Sequence, residues 1–439
     1  MNFFIKTFGC QMNEYDSERI FYLLESIGYK ESADINKANI IIFNTCAVRE
    51  KAKNRLYGHI GNLKKLKSKN PDLLICIGGC TAQNLKEKLL KDFPYIDIVF
   101  GTHNISELPE LIRKKQSLKN NICSIKEKGS DRFIYKSKRY LNFKAYVPII
   151  IGCNNYCSYC IVPYVRGKEI SVHPDKIIKH VKKLVLDGVL EITLLGQNVN
   201  SYGRDLTGNS KKSINFSNLL KNISGIRGLH RIRFITSHPK DFSDDIIFTI
   251  KENENIAKHI HLPIQSGSDR ILKRMNRRYT TEQYLKIVRL IREELPNCSI
   301  TTDIIVGFPG EDEEDFRQTL NLVKEVRFDR AFTFIYSNRE GTKASNFYDN
   351  KTLKEKKVRF LKLLEIQNKI SLEENKKLIG KKFEVLVEGF GIKGKDIFKG
   401  RLENNSIVNF KGSKKDIGKF KYIEILDVKT FYLKGKLCK

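Results

Sequence analysis

The sequence predicts an α/β protein in three parts: an N-terminal parallel α/β sheet domain, a central partial (β/α)6 barrel and a small, OB-like C-terminal β-barrel. Three observations predict it. Short apolar, β-rich runs alternate with amphipathic stretches through the first hundred residues, the pattern of a parallel sheet covered by helices. Six further runs, each ending in a polar or Gly-rich loop, follow between 145 and 336; this suggests a parallel barrel with its site at the C-terminal mouth. The last stretch turns to short strands separated by Gly, Lys and Asn, as in a small closed all-β module.

In order, the first series is FFIKTF (3–8), IIIFNT (40–45), LLICIG (73–78) and IDIVFG (96–101), with DSERIFYLLESIGY and REKAKNRLYGHIGNLKKL as helical stretches between. Cys10, Cys46 and Cys80 each follow one of the first three strands. Ligands of open α/β sheets bind outside the carboxyl ends of the strands, so three loops would bring these thiols together. The competing reading is three separately buried cysteines. Cys76, inside a strand, fits that reading and is expected to be structural. Residues 112–140 lack periodicity and read as a connection with one short strand; Cys123 there is also expected to be structural. The expected divisions are 1–115, a connection at 116–140, a core at 141–372 and a terminal module at 373–439.

The second series is AYVPIII (145–151), EITLLG (191–196), RIRFIT (231–236), HIHLPI (259–264), SITTDIIV (299–306) and AFTFIY (331–336). Six units rather than eight predict an incomplete, laterally open barrel. The charged stretch 351–375 is expected to be a helix closing the barrel edge. Five short strands from FEVLVEGF onward complete the chain. Their basic residues are interleaved with Phe390, Phe398, Phe410, Phe420 and Tyr422, a combination suited to single-stranded nucleic acid.

The run GCNNYCSYC places Cys153, Cys157 and Cys160 at C-x3-C-x2-C spacing with no fourth Cys or His close behind. Thiolates suit iron–sulfur clusters and zinc, and a structural zinc closes a tetrahedron with four ligands. Three ligands on a four-iron cluster leave one iron open; a zinc loop with a distant fourth ligand is the alternative. Around the expected mouth, Tyr159 is placed to pack an adenine or, equally, to anchor the loop. Gly196 and Gln197, then Thr236, Ser237 and His238, then Gln265 and Ser266, and Asp303 with Gly307, lie at or along strand ends. Gln197 and Asp303 are favoured as contacts to a bound cosubstrate. His238 and His261 are read as hydrogen-bonded structural histidines ahead of acid–base groups.

Composition sets further bounds. The formal net charge is +30, which points to a polyanionic partner. Residues 376–439 hold 17 basic and 7 acidic side chains, a charge density about three times that of the rest. No apolar run approaches the ~20 residues of a membrane span, and the N-terminus lacks a secretory pattern. Ten cysteines without such a signal predict reduced thiols in the cytoplasm.

TFGCQMNEYDSE, NTCAVREKA, GGC (78–80), GCNNYCSYCIVPYVRG, LLGQNVNSYG, TSHP, HLPIQSGSDRIL, DIIVGFPGE and GRLENNSIVNF resemble, in content and order, the radical S-adenosylmethionine (SAM) methylthiotransferases over nearly the whole chain. GCQMN resembles the branch acting on isopentenyladenosine more than the branches acting on threonylcarbamoyl-adenosine or on an Asp of a ribosomal protein. The resemblance implies two [4Fe-4S] clusters, one on Cys10, Cys46 and Cys80 and one on Cys153, Cys157 and Cys160. It implies SAM as radical source and methyl donor; the strand-end positions put Tyr159, Gly196, Gln197 and Asp303 forward as its contacts. It implies a TRAM domain that grips tRNA, an electron donor such as flavodoxin or ferredoxin, a monomer, and methylthiolation at C2 of an adenosine beside the anticodon. Two departures stand out: Val172 where the family usually has Arg, and Glu340 where Pro is common. A non-catalytic, zinc-stabilised RNA-binding protein is the competing class.

Overall fold

The computed structural model describes residues 1–47, 50–118, 120–127, 137–206, 214–391, 394 and 396–438. Runs rich in β-branched and aromatic residues build an N-terminal sheet of six parallel strands: β1 (Asn2–Phe8), β2 (Lys30–Glu31), β3 (Ile40–Thr45), β4 (Leu74–Gly79), β5 (Ile98–Phe100) and β6 (Ile122–Ser124), in the order β2-β1-β3-β4-β5-β6. Every residue of β3 is buried because both faces are covered. Ile41 and Phe43 meet Leu56, Ile60 and Leu63 of one helix, while Ile40 and Ile42 on the other face meet Ile20, Phe21 and Leu24 of another. These helices are α1 (Gln11–Ser26) and α2 (Glu50–Lys69); α3 (Cys80–Leu85), α4 (Lys88–Asp92) and α5 (Leu108–Ser117) follow. β6, within the stretch read as connection, completes the sheet and packs Cys123 against its core.

The strands of the central part are β7 (Lys144–Pro148), β8 (Ile150–Ile151), β9 (Ile170–Ser171), β10 (Glu191–Leu195), β11 (Arg231–Phe234), β12 (His259–His261), β13 (Ser299–Val306) and β14 (Arg330–Ile335), β8 and β9 forming a ribbon of their own beside the barrel. Two parallel triplets, β7-β10-β11 and β12-β13-β14, adjoin through an Ile232–Ile256 bridge and the Ser237 N–H donating to the His261 carbonyl. β7 and β14 are the two edges; among the described residues no ladder joins them. The six-unit open barrel is therefore present. One element differs from expectation: 145–151 is not a single strand. The chain bends after β7, and β8 pairs antiparallel with β9.

Helix Leu353–Lys376 starts at a Thr352/Glu355 capping box. It buries Leu363 and Ile370 in the barrel core, and Gln367 donates to the Phe328 carbonyl at 2.8 Å. It covers the edge at β14, as the sequence predicts. The C-terminal strands β15 (Lys382–Phe390), β16 (Ile397–Leu402), β17 (Ile407–Lys411), β18 (Phe420–Val428) and β19 (Leu433–Leu437) close as β15-β16-β17-β19-β18. The turn between β16 and β17 meets the barrel at the N-terminal ends of its strands. Arg233 donates to the carbonyls of Leu402 (2.8 Å) and Glu403 (2.9 Å), and Ser299 Oγ to that of Asn404 (2.8 Å). Beside it, buried Glu191 pairs with Lys144 (3.0 Å) and Arg233 (3.1 Å), and Lys144 with Glu388 (2.5 Å).

Candidate active site

Each of the first three cysteines stands where a strand of the sheet ends. Gly79 is the reason β4 can turn into α3 at Cys80. It adopts φ 89°, and a Cβ there would lie 2.4 Å from Asn44 Oδ1. Asn13 and Asn44 link the other two loops: Asn13 Nδ2 donates to Asn44 Oδ1 (3.2 Å), and Cys10 Sγ lies 3.4 Å from Asn13 Oδ1. A hydrogen bond with the Cys46 thiol holds Cys10 down to about 6, against burial and with help from the Arg166 charge. Burial raises Cys80, opposed by Arg166. Cys76 is fully buried in the strand and Cys123 packs against the core, so both are structural as predicted.

The second trio sits on a loop fixed from several sides. Cys153 N–H donates to the Gly167 carbonyl (3.1 Å), Ser158 N–H to that of Met275 (3.0 Å), and Asn276 Nδ2 to that of Tyr156 (2.9 Å). A Cβ on Gly152, at φ 86°, would fall 2.1 Å from the Lys168 carbonyl oxygen, so only glycine lets β8 and β9 approach here. Burial pushes the Cys153 and Cys160 thiols up to about 12 and 11. Thiols must lose a proton to bind metal.

Both trios open onto one cavity of about 620 Å³ whose wall includes Cys10, Cys46, Cys153, Cys157 and Cys160. Cys80 stands just behind, packed with Ile161 and Val165. Gly196, Gln197, Asp303 and Tyr159 all line the cavity. Gln197 Oε1 accepts from Gly152 N–H at 2.5 Å, next to the loop. Tyr159 meets Phe308 edge-on at 6.4 Å. Asp303 Oδ1 lies 3.6 Å from His261 Nε2. Thr236 and Gln265, at φ 70° and 71°, also line it; a β-branched residue there is strained, as functional sites tolerate. His238 Nδ1 accepts from Lys240 N–H (3.2 Å) and burial keeps the ring neutral. Ser266 and Gly307 lie outside this wall: Ser266 bonds Thr319 and Ser268, and Gly307 abuts Lys356. Val172 is fully buried in the barrel core.

Two arginines escaped the sequence reading. α6 (Val162–Arg166) ends in Arg166, whose Nε lies 3.3 Å from Cys80 Sγ and whose Nη2 donates to Asp16 Oδ2 at 2.7 Å. It thus ties the barrel to the N-terminal sheet. Arg277 points Nη1 at Cys157 Sγ (3.5 Å) and Nη2 at the Pro263 carbonyl (2.8 Å). Each trio therefore has one buried guanidinium set against a thiol. Among the described residues no three His, Cys, Asp or Glu side chains converge as ligands of a single ion would. A four-iron cluster takes its thiolates on separate irons, so a spread trio with a charge partner fits it.

Of the five terminal-module aromatics, Phe398 and Phe410 are core. Phe420 stacks on His230 of the barrel (3.8 Å). Phe390 and Tyr422 remain exposed.

Residues 2–101 match the model of uncharacterized protein family UPF0004, residues 147–323 that of the radical SAM superfamily, and residues 376–438 that of the TRAM domain. A similar fold occurs in a radical S-adenosylmethionine methyltransferase from Kitasatospora setae, solved with cobalamin and a [4Fe-4S] cluster bound. It has TM-score 0.59 at 14% identity, over 78% of this chain and 77% of that one. Fold and site together define a radical SAM enzyme carrying a C-terminal TRAM domain. The chain is 49% identical, over 99% of its length and 96% of the relative's, to a tRNA-2-methylthio-N(6)-dimethylallyladenosine synthase from Clostridium tetani. It is 48% identical to another from Thermoanaerobacter pseudethanolicus, over 99% and 92%. It belongs to the family of tRNA-2-methylthio-N(6)-dimethylallyladenosine synthases.

Proposed function

We propose that this enzyme methylthiolates C2 of an N(6)-isopentenyladenosine next to the anticodon of tRNA, using SAM both as radical source and as methyl donor. The observation that carries this reading is the single cavity shared by two cysteine trios drawn from two domains. Cys10, Cys46 and Cys80 would hold one [4Fe-4S] cluster and Cys153, Cys157 and Cys160 the other. Bound there, the clusters supply one-electron reduction of SAM and a place to hold sulfur. The protein's own residues do the rest. Gln197 and Gly196 fix the cysteine loop to β10, Asp303 and Tyr159 face the space beside it, and Arg166 and Arg277 keep a thiol of each trio in a positive field. The proposed divisions are 1–115, 116–140, 141–372 and 373–439, the last gripping tRNA. A flavodoxin- or ferredoxin-type donor delivers electrons to a cytoplasmic monomer. Among the described residues no helix is long and apolar enough to cross a membrane.

The deciding experiment is mass spectrometry of nucleosides from the tRNA of a deletion strain. Loss of 2-methylthio-isopentenyladenosine, with isopentenyladenosine accumulating, is expected. An unchanged level overturns the reading and directs attention to threonylcarbamoyl-adenosine or a ribosomal-protein Asp.

A further inference from the structure

β14 is an edge strand, and its two faces differ. Ala331 packs outward against the barrel core, and Ile335, at the end of the strand, reaches both the core and the cavity wall. Arg330, Phe332 and Phe334 alternate with them and line the cavity that holds the thiols. Both rings are unusually open for phenylalanines inside a barrel, at 53% and 39% exposed. Phe332 lies beside Asp303 in register and meets the His261 ring edge-on at 5.9 Å. Alternate residues of a strand stand about 6.6 Å apart, close to twice the ~3.4 Å spacing of stacked bases. The pair is thus spaced to accept one flat ring between them, while Arg330, at the start of the strand, donates to the Phe431 carbonyl at 3.0 Å.

We propose that Phe332 and Phe334 form the subsite that takes the extruded adenine with its apolar five-carbon tail, entering from the open edge between β7 and β14. This rests on the tRNA reading above and deepens it. An enzyme working on a base must take it out of the stack and hold it by stacking and apolar contact. A prenylated purine is flat and has an apolar tail, and aromatic side chains suit both parts.

The test uses the full chain with both clusters loaded and fluorescence anisotropy of two anticodon stem-loops, one with dimethylallyladenosine and one with plain adenosine. The parent should prefer the prenylated RNA. Phe332→Ala and Phe334→Ala should each weaken that RNA by about tenfold, within the range for loss of one stacking ring, and move the plain RNA less. Phe332→Leu, which keeps an apolar core volume, should show the loss too, while Phe332→Tyr should restore binding. Iron content checks that each variant is folded. Variants that bind both RNAs like the parent overturn the proposal, as does weakened SAM binding with RNA affinity intact, which would give the rings to SAM. A parent that binds neither stem-loop overturns the tRNA reading itself.

Discussion

Arg166→Met would test how the N-terminal sheet is fastened to the barrel. Arg166 and Asp16 lie on different domains, 2.7 Å apart, with side chains 5% and 4% exposed. Removing one partner of a buried pair strands the other charge and typically costs about 3–5 kcal/mol. Arg19 stays 3.9 Å from Asp16 and offsets part of this, so the lower end, about 3 kcal/mol, is expected. That is roughly a hundredfold in the unfolding equilibrium. Asp16→Asn in the same chain removes the stranded charge and should recover part of the loss, giving strong coupling in a double-mutant cycle. The assay is urea unfolding of the anaerobically purified apoprotein followed by circular dichroism, because the chain has no tryptophan. A loss below about 0.5 kcal/mol, or effects that simply add, would refute the reasoning.

Three other outcomes follow from the geometry. Gly79→Ala puts a Cβ 2.4 Å from Asn44 Oδ1 at a φ of 89°; the first cysteine trio should distort, and iron per chain should fall by about half while the second trio keeps its share. Burial raises the Glu18 carboxyl to about 7 from an ordinary 4.5. The folded chain therefore holds a proton that the unfolded chain releases, and stability present below pH 4.5 is lost as pH rises to 7, by an order of 3 kcal/mol. Denaturation midpoints across that window should flatten in Glu18→Gln; an unchanged slope would contradict the assignment. Glu191→Gln leaves Lys144, Arg231 and Arg233 facing one another and should cost about 3 kcal/mol or more, read as earlier proteolytic release of the C-terminal module.

Much of this was legible in the sequence because it rests on local periodicity. The strand runs of both series and the placement of Cys10, Cys46 and Cys80 after strands needed only period-two patterning and the rule that sites gather at strand ends. Arg166 was not legible: its partners lie 86 and 150 residues away, and nothing local distinguishes a guanidinium that turns inward. A faint signal existed in its position at the end of the helix that follows the cysteine loop. Phe332 and Phe334 were hidden for another reason. Within AFTFIY they read as ordinary strand core, and only the six-strand opening turns that face into a cavity. The bend between β7 and β8 was missed because an unbroken apolar run carries no mark of a change of direction.

The turn between β16 and β17 has a consequence for how the parts can be taken from one another. Asn404, Asn405 and Ser406 form the floor of the cavity, held by Ser299, Lys258 and Arg233. The C-terminal module is therefore also the stopper of the reaction vessel. Cutting it away would open the vessel from below and let water and dioxygen reach the thiols by a second door. An enzyme built this way has no smaller catalytic version of itself.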